Sequence, residues 1–198
     1  MPANERKITA ADIIPVEQFR RERSERRKAI LPMKKLRRVD VGPYCTFYFE
    51  TFDTMLFQVL EMLAIEKGGE AQLKDELLAY NPMIPQGSEL TATIMFEIDE
   101  PQRRAAILGR LGGVEERFFL QVGGEKIVAT PEGDVERTDE ETGKASSVHF
   151  VRFAVNEAQK KLFRDPAAQV MAGVDHEHYG HVAILSPATR AELARDFA

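Results

Sequence analysis

The fold is decided by residues 44–67, YCTFYFETFDTMLFQVLEMLAIEK, in which a strand pattern passes directly into a helix pattern. In the first half, Cys45, Phe47 and Phe49 alternate with other residues, so we predict that they share one face of a strand. In the second half, residues 53–67, apolar side chains occupy most of a helical circumference. This pattern predicts a central helix that other elements bury.

The segments further along the chain also mix strands with helices. Apolar residues alternate along residues 89–98, and two short strand patterns, 117–122 and 126–130, flank a turn that contains Gly-Gly. We therefore predict an α+β fold, a mostly antiparallel sheet covered by helices. Residues 1–38 are expected to form a basic helical arm that is integral to the fold, and residues 39–198 a single α+β domain.

The charge of the 198-residue chain is unevenly distributed. The net charge is −5, but ten Lys or Arg and only two Glu lie between Arg20 and Arg38. This stretch therefore carries a charge of +8, and the remaining residues carry −13. A long charged helix is predicted from Val16 to Ile30, and Pro32 is expected to end it.

The basic arm is expected to contact protein. It holds no aromatic residue between its cations and belongs to an acidic chain, so we do not expect nucleic acid as its partner. It would contact an acidic surface of the protein itself, a partner protein or a second copy in a homodimer. The partner-binding residues would be Arg26, Arg27, Lys34 and Lys35.

Composition excludes several classes of protein. No run approaches the roughly 18–20 apolar residues that span a bilayer, so we do not expect membrane insertion. The polar residues 1–10 contain no apolar core of a secretory signal, and the only cysteine, Cys45, cannot form an internal disulfide. We therefore expect a cytoplasmic protein. Because Cys45 shares its predicted strand face with Phe47 and Phe49, we expect its thiol to be buried and unreactive. P-loop and dinucleotide-binding motifs are absent, so nucleotide-dependent chemistry is not expected.

Residues 175–181, DHEHYGH, hold three of the four histidines. In a strand, His176 and His178 would point to the same side, a spacing that lets two imidazoles bind one metal ion. This spacing allows a site for iron, zinc or manganese, but a solvated polar hairpin turn is the favoured interpretation. Further ligands would come from His181 or His149 and from Asp175 or Glu177.

The central helix carries a narrow polar stripe of Thr54, Gln58 and Glu61, at positions i, i+4 and i+7. If the stripe faces solvent, it is the outer side of a core helix. If it faces inward, Glu61 is a desolvated carboxylate with a raised pKa, suited to acid–base chemistry or metal binding. Glu50 and Asp53 lie at the junction before this helix, where Asp53 can act as a cap.

The predicted strand of residues 146–155 holds two further polar candidates. His149 lies in a segment that is apolar on both faces, so we expect it to be buried and held by one hydrogen bond. Arg152 projects to the opposite face. A buried arginine at that position would need a carboxylate, either from the protein or from a ligand.

Short motifs occur in a recognisable order along nearly the whole chain. They include DIIP (12–15), RRVDVGP (37–43), FETFDT (49–54), QVLEM (58–62), YNPMIP (80–85), LTAT (90–93), VRF (151–153) and GVDH (173–176). With these motifs the chain resembles the domain-of-unknown-function 3501 family, which has no assigned activity. The resemblance implies an association with rubrerythrin-like and iron–sulfur oxidoreductase-like partners, and hence with redox chemistry or peroxide defence.

The resemblance also changes which residues are favoured as a site. The ligand-binding candidates in matching motifs are Glu50, Asp53, Gln58, Arg152 and Asp175, together with Glu61 and His176. A pocket of Glu61, Gln58, Arg152 and His176 is therefore favoured over the three-histidine site. A metal would be held by His176, His178 and Glu61.

Three functions remain open at this point. The first is a cytoplasmic ligand- or metal-binding accessory protein that acts with a redox or peroxide-defence partner. The second is an enzyme, a metal-dependent oxidoreductase or a hydrolase, that uses Glu61 or His176 as its base or metal ligand. The third is a protein–protein interaction module or dimer without catalysis.

Overall fold

The computed structural model describes residues 6–66, 68–132, 138–139 and 142–198. None of the helices in these ranges is both long and apolar enough to cross a membrane. The helices are α1 (Val16–Leu36), α2 (Phe52–Glu66), α3 (Gly69–Tyr80), α4 (Pro101–Leu108), α5 (Glu157–Arg164) and α6 (Pro187–Leu193). The strands are β1 (Arg38–Val41), β2 (Cys45–Phe49), β3 (Glu89–Phe96), β4 (Phe118–Val122), β5 (Glu125–Val128), β6 (Thr130–Pro131), β7 (Val148–Ala154), β8 (Val170–His176) and β9 (Tyr179–Ile184).

The strands form two antiparallel sheets in place of the single sheet expected from the sequence. One sheet has five strands in the order β1-β2-β3-β7-β6, and the other has four in the order β5-β4-β8-β9. Neighbouring strands run antiparallel in both sheets. The α+β class and the N-terminal helix are confirmed.

The inner faces of the two sheets meet in the main hydrophobic core. Cys45, Phe47 and Phe49 of β2 are each at most 1% exposed on this face, which confirms the alternation predicted from the sequence. Phe47 lies opposite Ile94 of β3 in the register of the sheet. Across the interface, the Phe47 ring stands edge-on to Phe118 of β4, with the ring centroids 5.9 Å apart. Aromatic rings from the two sheets therefore pack edge to face in the core between them.

Helices cover the outer face of the five-stranded sheet. Met55 and Val59 of α2 belong to a second, smaller core, against which Phe150 on the outer face of β7 packs. Helix α1 packs on α2, where Phe19 is fully buried with its ring edge-on to Phe57 and a centroid distance of 5.8 Å. The buried central helix predicted from the sequence is therefore α2.

Helix α1 is longer than predicted, because it continues through Pro32 to Leu36. Proline has no N–H to donate to the carbonyl four residues earlier, which belongs to Lys28. Both Pro32 and Lys28 are exposed, so water can hydrate the carbonyl that proline leaves unpaired. The expectation that Pro32 ends the helix was wrong for this reason.

A buried ion pair fixes the end of α1 to the C-terminal residues. Arg37, which is 3% exposed, donates from Nη1 and Nη2 to the two carboxylate oxygens of Asp196, at 2.8 and 2.7 Å. Its Nε donates to Glu192 of α6 at 3.1 Å. This arrangement holds the C-terminal end of α1 beside the junction of β2 and α2.

Candidate functional site

A cavity of about 450 Å³ lies between the outer face of the five-stranded sheet and the helices. Strands β2, β3 and β7 and helix α2 line it, together with Tyr80 at the end of α3 and Lys34 and Arg37 at the end of α1. Small-molecule sites in proteins have volumes of roughly 300–1,000 Å³. We name it the Glu50 cavity after its buried carboxyl group.

The local sequence places Glu50 in this cavity. It directly follows β2, whose alternation turns Cys45, Phe47 and Phe49 inward and therefore turns Glu50 to the outer face. The backbone N–H of Glu50 donates to the carbonyl of Thr91 at 2.9 Å. Its backbone carbonyl accepts from Nη1 of Arg37 at 3.1 Å, so both backbone polar groups of Glu50 are hydrogen-bonded.

The Glu50 carboxyl is buried, with 8% of the residue exposed. Burial raises its pKa above the ordinary value for glutamate, because the charged form loses its water. Hydrogen bonds from Thr54 and Thr93 and the charges of Lys34 and Arg37 act in the opposite direction, but burial dominates. The Thr93 hydroxyl on β3 donates to Oε1 of Glu50 at 2.7 Å.

Two tyrosines and Gln58 add polar groups to the cavity lining. Burial raises the pKa of the Tyr80 hydroxyl, and a hydrogen bond from the Gln58 side chain opposes that shift. The Tyr48 hydroxyl contacts both carboxylate oxygens of Glu97, at 2.9 and 3.0 Å. Burial and the Glu97 carboxylate together raise the pKa of Tyr48 to about 12. Both tyrosines therefore stay protonated at neutral pH.

Of the ligand-binding residues predicted from the sequence, Glu50 and Gln58 are brought together in this cavity. Arg152 is not among the lining residues, although it also points to the outer face of the five-stranded sheet. Its guanidinium forms ion pairs with Glu89, at 3.2 Å, and with Glu132, and it donates to a backbone carbonyl at 3.0 Å. The carboxylates that Arg152 needs are therefore supplied by the protein.

Glu61 lies outside the cavity. Arg23 of α1 binds its carboxylate with two guanidinium nitrogens, Nε at 2.7 Å and Nη2 at 2.9 Å. The polar stripe of α2 is thus divided, because Thr54 and Gln58 line the cavity while Glu61 faces α1. The predicted pocket that combines Glu61 with His176 is not formed.

The histidine cluster lies on the hairpin of β8 and β9, as in the favoured interpretation of a polar hairpin turn: His176 ends β8, His178 lies in the turn and His181 belongs to β9. Nε2 of His176 lies 3.2 Å from the carbonyl oxygen of Gly112, and its Nδ1 accepts from the backbone N–H of His178 at 3.2 Å. Asp175 forms an ion pair with Lys126 at 2.5 Å. Within the described residues, no group of three or more His, Cys, Asp or Glu could hold a metal ion. The structure therefore does not assemble the metal site predicted from His176, His178 and Glu61.

Two further predictions concern buried residues of the main core. His149 is 1% exposed, and its Nε2 lies 2.9 Å from the carbonyl oxygen of Ser146, as expected for a buried structural histidine. Cys45 is also buried, and burial raises the pKa of its thiol. The reactive thiolate of this cysteine is therefore disfavoured.

The predicted partner-binding residues of α1 have different environments. Arg26 is paired with Glu22 on the same helix at 2.7 Å, and Lys34 lines the Glu50 cavity. Arg27 and Lys35 are exposed. Asp53, in the first turn of α2, lies with Arg26 along a separate groove between α1 and α2.

Sequence reasoning missed Thr93 and Tyr80 as cavity residues. A signal for Thr93 was present, because the apolar residues of residues 89–98 share one face and leave Thr93 on the other. Tyr80 had no such signal, since its place in the cavity depends on how α3 packs over the sheet.

Comparisons with known proteins agree with this architecture. A solved structure, described as a novel protein of unknown function from Burkholderia pseudomallei K96243, shares 35% sequence identity with this chain and has a TM-score of 0.88. The match covers 97% of this chain and 100% of the other. Among curated proteins, none matches the chain. The model of the family described as protein of unknown function (DUF3501) matches residues 7–197, so the chain belongs to the DUF3501 family.

Proposed function

We propose that this protein binds a small organic ligand in the Glu50 cavity. The observation that carries the proposal is a buried carboxyl group that lines a cavity of about 450 Å³. A buried ionisable group lowers the stability of a fold unless it is fully paired. Such groups concentrate at functional sites, where the cost is offset by what they bind or catalyse.

The rest of the lining supports a ligand of mixed character. Besides Glu50, the uncharged polar groups are few and come from different elements, namely Tyr48 of β2, Thr54 and Gln58 of α2, Thr93 of β3 and Tyr80 of α3. Lys34 and Arg37 at the end of α1 are the charged groups. Apolar and aromatic side chains of the sheet, such as Met95 and Phe150, complete the surface. Pockets of this kind bind the apolar body of a ligand and orient it through a few polar contacts.

The position of Glu50 also favours binding over a purely structural role. Its backbone is hydrogen-bonded to Thr91 and Arg37, and its carboxyl group accepts from Thr93, so the carboxyl group is held in place before any ligand binds. A fixed polar group binds more tightly because less conformational entropy is lost on binding.

The accessory role beside rubrerythrin-like or iron–sulfur oxidoreductase-like partners stays a prediction from the family resemblance. A homodimer, metal binding and a cytoplasmic location stay predictions from the residues of the sequence. A ligand-binding protein is compatible with an accessory role, since binding in the cavity requires no catalysis by this chain. The enzyme that uses Glu61 or His176 has no such support, because these side chains contact Arg23 and Gly112.

The proposal can be tested with three probes that share one ring and differ in the head group: benzylamine, benzyl alcohol and benzoate. Ligand-observed NMR measures their binding to the wild-type chain and to Met95→Trp, which fills the cavity. Val128→Trp is the matched control, because Val128 is 53% exposed on the other sheet. We expect at least one probe to bind wild type and Val128→Trp, and to lose binding to Met95→Trp.

Two results would contradict the proposal. Either none of the three probes binds the wild-type protein, or binding is equally strong in Met95→Trp. Circular dichroism of each variant shows whether the fold is kept. If Met95→Trp is unfolded, chemical-shift changes in the wild type decide, and they must include the amides of Glu50 and Thr93.

A further inference from the structure

We propose that the ligand of the Glu50 cavity carries a cationic amine, and that the carboxylate of Glu50 binds its ammonium group. This inference rests on the proposed function and names the chemical class of the ligand.

Among the described residues, no cation forms an ion pair with the Glu50 carboxylate, although the charges of Lys34 and Arg37 act on it from a distance. The guanidinium of Arg37 is bound to Asp196 and Glu192, and it reaches Glu50 only through the backbone carbonyl. Lys34 is exposed and, like Arg37, forms no ion pair with Glu50 in the described part of the chain. A buried carboxylate without a cation is costly, so a cation brought by a ligand gains free energy there.

The other lining groups favour an organic cation over a metal ion. Calcium, magnesium and transition metals need several oxygen, nitrogen or sulfur ligands around one point. Glu50 is the only carboxylate that lines this cavity in the described residues, and no histidine or cysteine joins it. An ammonium group, by contrast, needs a few acceptors and is attracted to aromatic rings, which Tyr48, Tyr80 and Phe150 supply.

The two cations at the end of α1 do not cancel this preference. Arg37 faces two carboxylates, Asp196 and Glu192, which balance its charge. Lys34 is exposed on the rim, where water and salt screen its repulsion. A ligand with one ammonium group at Glu50 and an uncharged or anionic remainder therefore fits better than a polycation.

Binding of an amine is also coupled to a proton. The titratable or charged groups that face Glu50 are Lys34 and Arg37 from α1, Tyr48 from β2 and Tyr80 from α3. The residues of α2, β3 and β7 that line the cavity carry none. Burial raises the pKa of free Glu50, so a low pH protonates it and removes the charge that the ammonium group needs. Amine binding should therefore weaken as the pH falls through this pKa.

The test compares benzylamine with benzyl alcohol, which has the same ring without the charge. Isothermal titration calorimetry at neutral pH measures both on wild type, Glu50→Gln and Glu61→Gln. Glu61 is the matched control, because its carboxylate lies on the same helix side of the sheet but is paired with Arg23 outside the cavity. We expect wild type and Glu61→Gln to bind benzylamine about tenfold more tightly than benzyl alcohol. Glu50→Gln should lose this preference.

The outcomes separate the two proposals. If benzyl alcohol or benzoate binds as tightly as benzylamine, and Met95→Trp removes that binding, the cation inference fails while the proposed function stands. If no probe binds, the proposed function fails and the inference fails with it. If Glu50→Gln does not fold, the pH dependence in the wild type decides: weaker benzylamine binding at low pH supports the inference, and pH-independent binding contradicts it.

Discussion

The two faces of the five-stranded sheet are built from the same strands and have opposite properties. On the inner face, Phe47, Ile94 and Phe153 are fully buried against the second sheet. On the outer face, Glu50 and Thr93 line a cavity beneath the helices. Two sheets bring continuous surfaces together, whereas separate helices leave space between their side chains and the strands.

If the proposed function holds, the inner face supplies stability and the outer face supplies the binding site. In the described residues, the inner face is apolar apart from His149. Its phenylalanine rings pack against one another and against the second sheet. The outer face keeps a carboxyl group whose burial lowers stability. Substitutions on the inner face should therefore reduce stability, and substitutions around the cavity should mainly reduce binding.

The largest expected effect comes from two phenylalanines of β7 that lie on opposite faces. Phe153→Ala should reduce the free energy of unfolding by about 3–5 kcal/mol, because its fully buried ring stacks on Phe47 and leaves a cavity. Phe150→Ala, on the outer face, should cost less and should weaken benzylamine binding. Urea denaturation and calorimetry measure both. The comparison of faces breaks down if the two variants are equally destabilised.

The next effect concerns the ion pair that holds α1 over the outer face. Asp196→Ala should cost about 3 kcal/mol in the free energy of unfolding, because it leaves the buried guanidinium of Arg37 without its main partner. The double variant Arg37→Met with Asp196→Leu should recover much of this loss, since it removes both charges. Urea denaturation checks both. Asp175→Ala removes an exposed ion pair and should leave the free energy of unfolding unchanged. If Asp175→Ala and Asp196→Ala were equally destabilised, burial of the Arg37–Asp196 pair would not explain the loss.

A smaller effect is expected for the hydroxyl beside the carboxyl group. Thr93→Val removes the hydrogen bond to Oε1 of Glu50 and should cost about 1 kcal/mol in the free energy of unfolding. Without this donor the Glu50 carboxylate is less stable, so benzylamine should bind more weakly. Thr93→Ser keeps the hydroxyl and should retain binding. Equal benzylamine affinity in Thr93→Val and wild type would show that the hydrogen bond does not support the site.

The smallest effect is a pH-dependent gain in stability for Glu50→Gln. Because burial raises the pKa of Glu50 in the folded state, the folded protein holds this proton to a higher pH than the unfolded chain. Wild-type stability therefore falls as the pH rises from the ordinary glutamate pKa through the raised one. Glu50→Gln lacks this fall, and its Tm should exceed that of wild type by about 2–4 °C at neutral pH. Calorimetry should show the difference vanish near pH 4; a constant difference at all pH values would contradict the raised pKa.

The sequence predicts much of this fold because alternation and helical periodicity are local properties. The inward face of β2 and the buried helix α2 both follow from residues 44–67, and Glu50 and Gln58 were recognised as ligand-binding candidates. What the sequence does not contain is the identity of the element that covers each face. It therefore predicted one sheet, although the second sheet buries the inner face of the first.

The same limit explains the predicted pocket of Glu61 and His176. Glu61 shares a helical stripe with Thr54, but seven residues place it about 10 Å further along the axis, beyond the cavity. There it meets Arg23 of α1, a contact between residues 38 positions apart that periodicity does not encode. His176 belongs to the four-stranded sheet and contacts Gly112. The side chains of Glu61 and His176 therefore contact different parts of the fold and do not meet.

The proposed binding of an ammonium group by the buried carboxyl group of Glu50 can be tested at that carboxyl group itself. Carbon-13 NMR of the glutamate carboxyl groups, assigned to Glu50 by comparison with Glu50→Gln, measures the pKa of this residue directly. We expect a pKa above the ordinary range in the free protein and a marked decrease of that pKa when benzylamine is saturating. An ordinary pKa that benzylamine leaves unchanged would contradict the proposed binding.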